Sequence, residues 1–317
     1  MATSIIINQL LIFGVLILVG YIAKRFNVLS DEGRDALAKI VIEVTLPFLI
    51  FSTFAKMDFS PELATGSLLV FILAFVNLVF LFLAGRLSSS ALGLQQPQQV
   101  VHTLHTMFGN IVFLGFPLLD ALFPDGRGIF YGAIYQLASN TVTFTYGVYA
   151  LSRGTERQGL KSLINVNTIA LFAGGVVMLL GIKVDFRLDT AFTALGKAIS
   201  PLSMIYIGAI LVGMDFKAAF KQVSVYMLCF VKLLVMPVLL VALYAFAIDV
   251  LKIAYDPITL FVVGLQAAMP AQTIVVVLSR RYGADYKLAT SNLMVTTILS
   301  IVTLPLVYLA ISWILAK

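Results

Sequence analysis

Apolar residues run along this chain in long blocks, broken by short polar segments. An α-helix needs about 20 mostly apolar residues to cross a bilayer. On that rule the blocks predict ten spans: Ile5–Ala23, Ala36–Phe54, Gly66–Ala84, Val100–Leu122, Ile129–Leu151, Asn167–Ile182, Ala194–Val212, Val223–Ile248, Thr259–Ser279 and Leu293–Leu315. The sixth is the shortest. Strands of a barrel run about 9–11 residues and alternate apolar with polar positions; these blocks are longer and do not alternate. Met1 to Leu10 carries no Lys or Arg, and the first block continues until it meets Lys24 and Arg25. It reads as a retained first span rather than a cleaved leader.

Composition explains why the blocks must face lipid. Of 317 residues, 61% are hydrophobic and 11% charged, with a mean hydropathy of +1.03. A soluble domain carries about 25% charged residues, so there is too little charge here to coat a water-facing surface. The net charge of +6 matters less than its placement. Lys24, Arg25, Arg34, Lys39, Arg86, Arg153, Arg157, Lys161, Lys217, Lys221, Arg280, Arg281 and Lys287 fall in loops on one side; Lys56, Arg127, Lys183, Arg187, Lys197, Lys252 and Lys317 fall on the other. The richer side is expected to be cytoplasmic, which leaves both termini outside and the protein in the cytoplasmic (inner) membrane. The loop after the sixth span opposes this bias.

Ten spans divide into five and five. Pro47 in the second span stands 154 residues before Pro201 in the seventh, and Pro117 in the fourth stands 153 before Pro270 in the ninth. Lys56-Met57-Asp58-Phe59 and Gly213-Met214-Asp215-Phe216 follow the second and seventh spans. Five is odd, so the second half enters the membrane inverted, the plan of many secondary transporters. The expected organisation is a first repeat over 1–151, a cytoplasmic linker over 152–162 and a second repeat over 163–317. A proline inside a span frees a backbone carbonyl, tolerated at membrane depth only where protein or a water-filled cavity satisfies it. Matched breaks near Gly109–Pro117 and Leu265–Thr273 therefore predict a site, with amides Asn110 and Gln266 ahead of each proline. Half-helix N-termini carry positive partial charge, which suits an anionic ligand.

At these stretches the chain resembles the auxin efflux carrier family, which includes plant PIN-FORMED members and bacterial malonate-type carriers. The resemblance rests on Asn110 to Pro117 with Leu118-Leu119, on Leu265 to Pro270, on Val44-Thr45-Leu46-Pro47 and on Ser300 to Pro305. It implies an all-α fold of ten transmembrane helices with broken helices 4 and 9 crossing, as in sodium/proton antiporters and bile-acid symporters. It also implies transport of small organic anions, with malonate or malate as the expected kind of carboxylate. Asn110 matches the family's asparagine at the substrate carboxylate, beside Gly115, Pro117 and Pro270. In plant members polar residues directly follow the second-span proline; here they are displaced to Ser52 and Thr53, a departure that argues against an auxin-like aromatic monocarboxylate. A fifth-span glutamine of plant members corresponds to Gln136 or Asn140. The long cytoplasmic loop of those carriers is absent.

Ionisable groups inside spans are costly and point to function by default. Glu43, Asp120 and Lys232 are thus candidates for coupling to a proton or sodium gradient, with Gln272 and Thr273 as oxygen donors to a cation. The two acids lie near span ends, where snorkelling to the interface is an equal explanation. Lys232 is more central. His102 and His105, without acid or cysteine partners, suit the membrane interface better than a metal site, and the lone Cys229 allows neither a thiolate metal site nor an internal disulfide. No cofactor and no nucleic-acid partner are expected; a homodimer is compatible with the sequence. Neither a His-Glu-x-x-His nor a Gly-x-Ser-x-Gly stretch occurs, so an intramembrane enzyme lacks its catalytic groups. A channel or receptor would leave the paired breaks unexplained; a membrane sensor that retains the transporter fold is the remote alternative.

Overall fold

A computed structural model describes residues 2–155 and 164–316. The linker expected at 152–162 lies, from residue 156 on, outside the described residues, as does Lys317. The described chain is helical throughout, and its one β feature is an isolated antiparallel bridge between Gly109 and Ala271. Helices occupy all the apolar blocks. Five of them are long and apolar enough to cross a membrane: Asp31–Lys56, Pro61–Ala91, Phe186–Leu211, Val223–Leu251 and Tyr286–Leu315. Ile111–Leu122, Val166–Leu179 and Pro257–Ala267 are shorter and apolar. Large side chains such as Leu11, Leu87, Phe172, Phe246 and Trp313 stand exposed. So much uncovered apolar surface requires a lipid surround.

Capping, rather than hydrophobicity, sets the ends. Ser30 accepts from Gly33 N at 3.0 Å, Asp256 from Ile258 N at 3.0 Å and Asp285 from Leu288 N at 2.9 Å. Each side-chain oxygen satisfies one of the orphan N–H groups that open a helix. The helix of the tenth expected block, Tyr286–Leu315, therefore begins seven residues before that block.

Proline bends these helices without breaking most of them. A π-helical turn precedes Pro47 (Val41–Thr45), Pro117 (Ile111–Gly115) and Pro237 (Phe230–Val235). The widened turn accommodates the ring and the missing donor. At Pro117 the π-helical turn carries the proline without a break, and the chain unwinds instead at the other end of the expected stretch, at Gly109.

Two compact units emerge, and both draw on both halves of the sequence. One comprises the described parts of Met1–Thr65, Val112–Ala133 and Ile164–Gly213; the other those of Gly66–Ile111, Ile134–Leu163 and Met214–Lys317. In the first, Ala2–Arg25 packs on Ile199–Leu211, and Leu46–Lys56 packs on Val166–Leu179. Glycine makes the closest approach: Gly20 lies against the Ile205 backbone and Gly208 against that of Ile17. Small residues let helices meet backbone to backbone, where dispersion replaces the hydrophobic effect that lipid cannot supply. Lys56 Nζ joins Asp189 at 3.1 Å and donates to Thr193 Oγ1 at 2.8 Å.

Candidate substrate site

The second unit contains two breaks, and they touch. Gln96–Met107 ends, Phe108-Gly109-Asn110 leaves the helix, and Ile111 starts the next helical stretch. Pro257–Ala267 ends, the chain turns through Ala268–Gln272, and Thr273 starts Thr273–Arg281. The bridge Gly109–Ala271 joins the two, and Asn110 N donates to Pro270 O at 2.8 Å. Unwound backbone is tolerated at such depth only when its polar groups are paired inside protein, and here each break pairs the other. Gly109 permits the approach. A Cβ there would stand 2.8 Å from Met269 Cβ and 2.9 Å from Gln266 O, which no side chain tolerates without moving backbone.

The register differs from the one the prolines suggest. Pro270 lies in its break; Pro117 lies seven residues past Asn110, in the helix Phe116–Leu122. The amides directly after the bridged residues are Asn110 and Gln272. Gln266 sits earlier, within the half-helix, 1% exposed, and neither its Oε1 nor its Nε2 has a protein partner. Gln272 Oε1 is likewise buried and unpaired, and Thr273 follows it, half-buried. Thr296 Oγ1 accepts from Ala271 N at 3.0 Å and fixes the second break to the tenth helix.

Asn110, Gln266, Pro270, Gln272 and Thr273 thus gather in one unit. Gln136 and Asn140, one turn apart in the helix that begins at Arg127, belong to the same unit; Gln136 is buried and Asn140 half-buried. Ser52, Thr53, Gly115 and Pro117 belong to the other unit. There the Ser52 hydroxyl is buried and donates to Leu49 O at 3.3 Å, and Thr53 lies against Gly126. Of the coupling candidates, Glu43 is exposed and Asp120 half-buried with the charge of Lys197 acting on it. Lys232 is fully buried and donates to Thr106 O at 3.1 Å.

One further reading changes. The histidines are fully buried rather than interfacial: His102 Nε2 meets Ser88 Oγ at 2.9 Å and His105 Nδ1 meets Asn292 Nδ2 at 3.2 Å. In the stretch after Asn140 the threonine hydroxyls bond the backbone of their own helix: Thr141 donates to Leu137 O, Thr143 to Ser139 O and Thr145 to Thr141 O. Such back-bonding leaves no free donor and bends the helix. Asn77 went unnoticed in the sequence. Its Nδ2 donates to Val263 O at 3.1 Å and to Tyr135 OH at 3.4 Å, and its Oδ1 accepts from Tyr244 OH at 2.7 Å. An amide in the middle of Val70–Ala84, an otherwise almost wholly apolar run, was the available signal, because polar groups there must find partners on neighbouring helices.

A family model described as membrane transport protein matches residues 5–159 and 151–308. Among curated relatives, an uncharacterized transporter of Methanothermobacter thermautotrophicus is 27% identical, covering 92% of this chain and 94% of its own length. The uncharacterized transporter YfdV of Escherichia coli K12 is 25% identical over 95% of this chain and 96% of its own. A third, from Methanocaldococcus jannaschii, is 24% identical over 94% and 96%.

Proposed function

Because this chain belongs to the auxin efflux carrier family of membrane transport proteins, we propose that it is a secondary carrier that moves small carboxylates, of the malonate or malate kind, by alternating access. The observation that carries this reading is the bridge of Gly109 to Ala271, with Asn110 and Gln272 each opening the helical stretch beyond it. Half-helix N-termini and neutral amides stabilise an anion without a fixed opposite charge. The unpaired polar atoms of buried Gln266 and Gln272 are unspent hydrogen-bonding capacity beside the same bridge, and buried groups of that kind call for a ligand or water.

The ten-span inverted repeat gains support from reciprocal contacts. The first helix packs on the seventh, and the sixth on the second. Asn77 of the third helix reaches Val263 of the ninth, and Lys232 of the eighth reaches Thr106 of the fourth. An inverted five-helix repeat generates such exchanges. Alternating access also needs bodies that stay intact while access switches, and the division of the chain into two compact units supports that reading. The charge bias of the loops sets the termini outside the cytoplasmic membrane, and a reporter fused after Lys317 that registered inside would overturn that orientation.

The decisive assay is uptake of labelled mono- and dicarboxylates into proteoliposomes, with sodium and proton gradients imposed independently. Saturable uptake of one acid is expected, and Asn110→Ala should lower it at least tenfold, about 1.4 kcal/mol of lost binding or more, while its melting curve stays near wild type. Unchanged uptake by that variant would remove Asn110 from the substrate.

A further inference from the structure

Lys232 presents an unusual balance of charge. Its side chain is fully buried, and no carboxylate pairs with it among the described residues. It donates to a backbone carbonyl, Thr106 O, at 3.1 Å. Thr106 lies one residue before the end of the half-helix Gln96–Met107, three residues before the bridged Gly109. The last carbonyls of a helix lack intrahelical partners and carry negative partial charge. An ammonium there is stabilised by the helix end rather than by an acid. The residue itself lies in the π-helical turn Phe230–Val235 ahead of Pro237, a local widening of the kind that re-aims side chains at functional sites. His105, next in the chain to Thr106, touches Asn292, whose Oδ1 is buried and unpaired.

Carriers with broken helices offer half-helix C-termini and unwound carbonyls to the sodium ion or proton that drives them. We propose that the Lys232 ammonium is a resident cation in that place, closing the cation site of the first half-helix and freeing this carrier from sodium. The proposal rests on the carrier reading above for its consequence, but the occupancy of the helix end does not. Lys232 is in these terms a positioning residue: it holds the end of Gln96–Met107, and through it the bridge, in place with a covalently tethered charge. The half-helix Pro257–Ala267 is met instead by a neutral amide, Asn77 Nδ2 to Val263 O, inside the helix and short of its last turn.

The test uses the full-length protein with two variants, Lys232→Met, which keeps the length of the side chain, and Lys232→Ala, which vacates the space. Melting curves are recorded in detergent in choline, sodium and methylammonium chloride, and uptake is measured in the same three salts. Wild type should melt and transport alike in all three. Lys232→Met should fold and lose at least tenfold in uptake in every salt. Lys232→Ala should melt lower in choline chloride and recover by several degrees in sodium or methylammonium chloride, with part of its uptake restored, because a small cation can then occupy the helix end. Three results would each overturn the proposal: wild-type uptake driven by a sodium gradient, full uptake by Lys232→Met, or no cation response of Lys232→Ala beyond that of wild type. If wild type takes up no acid while Lys232→Ala still responds to cations, the resident cation stands and the carrier reading falls.

Discussion

At Gly109 the chain unwinds without a proline; at Pro270 it unwinds on one. The first break is a short non-helical stretch, admitted because glycine lets Met269 and the Gln266 carbonyl come within contact. The second is a turn whose donors are reduced by proline and whose Ala271 N–H is taken by Thr296. The half-helix before the first is held by a charge, Lys232, and the half-helix before the second by an amide, Asn77. The lesson is that a crossing of this kind constrains where backbone groups pair, and leaves open which side chains enforce it. The two breaks can therefore be attacked separately.

The largest expected effect is at the first break. Gly109→Ala places a Cβ against two atoms that cannot rotate away, the Met269 Cβ and a backbone oxygen. Overpacking of a closed core costs about 3 kcal/mol, and here it also forces the bridge apart. The variant should melt far below wild type and lose uptake altogether. Pro270→Ala, by contrast, restores a donor at a break already fixed by its neighbours and should shift the melt much less. Equal effects of the two substitutions would dissolve the distinction between a glycine-permitted and a proline-made break.

The difference between the breaks also explains what could be read from the sequence. The apolar blocks gave the helices, because lipid allows few alternatives to them. Pro270 announced its break correctly, since it sits in it. Pro117 did not, because a π-helical turn absorbs it, and periodicity does not distinguish a proline that bends from one that breaks. The first break is signalled instead by Gly109 and Asn110, at the other end of the same stretch. The pairing of Asn110 with Gln272 depends on the bridge, a contact between residues far apart in the chain, and no local pattern encodes it. Lys232 stood out as a charge in an apolar block; Asn77, being neutral, did not, although its network is the better satisfied of the two.

A medium effect is expected at Asn77. Asn77→Leu keeps the volume but removes both donors and the acceptor, leaving Tyr244 OH and Tyr135 OH without their buried partner. Unsatisfied buried hydroxyls cost about 2 kcal/mol together with the lost bonds. The variant should be less stable by that amount in reversible unfolding from mixed micelles, while its response to sodium stays that of wild type, because no charge has been removed. A new sodium dependence in Asn77→Leu would mean that the charge at Lys232 is not what separates the two half-helices.

The smallest effect sharpens the second break alone. Thr296 Oγ1 accepts from Ala271 N and donates back to Asn292 O at 2.6 Å, so the hydroxyl links the unwound backbone to the tenth helix. Thr296→Val is close in shape and removes only the hydroxyl. The Ala271 N–H is then buried without an acceptor, at a cost of about 1–2 kcal/mol, offset in part because the valine methyl fits the same space. Hydrogen exchange provides the cleanest reading: the Ala271 amide should exchange faster in the variant, while that of Asn110, bonded to Pro270 O, should keep its protection. If both amides lose protection together, the two breaks open as one unit, and the side-chain anchor of the second is holding the bridge as well.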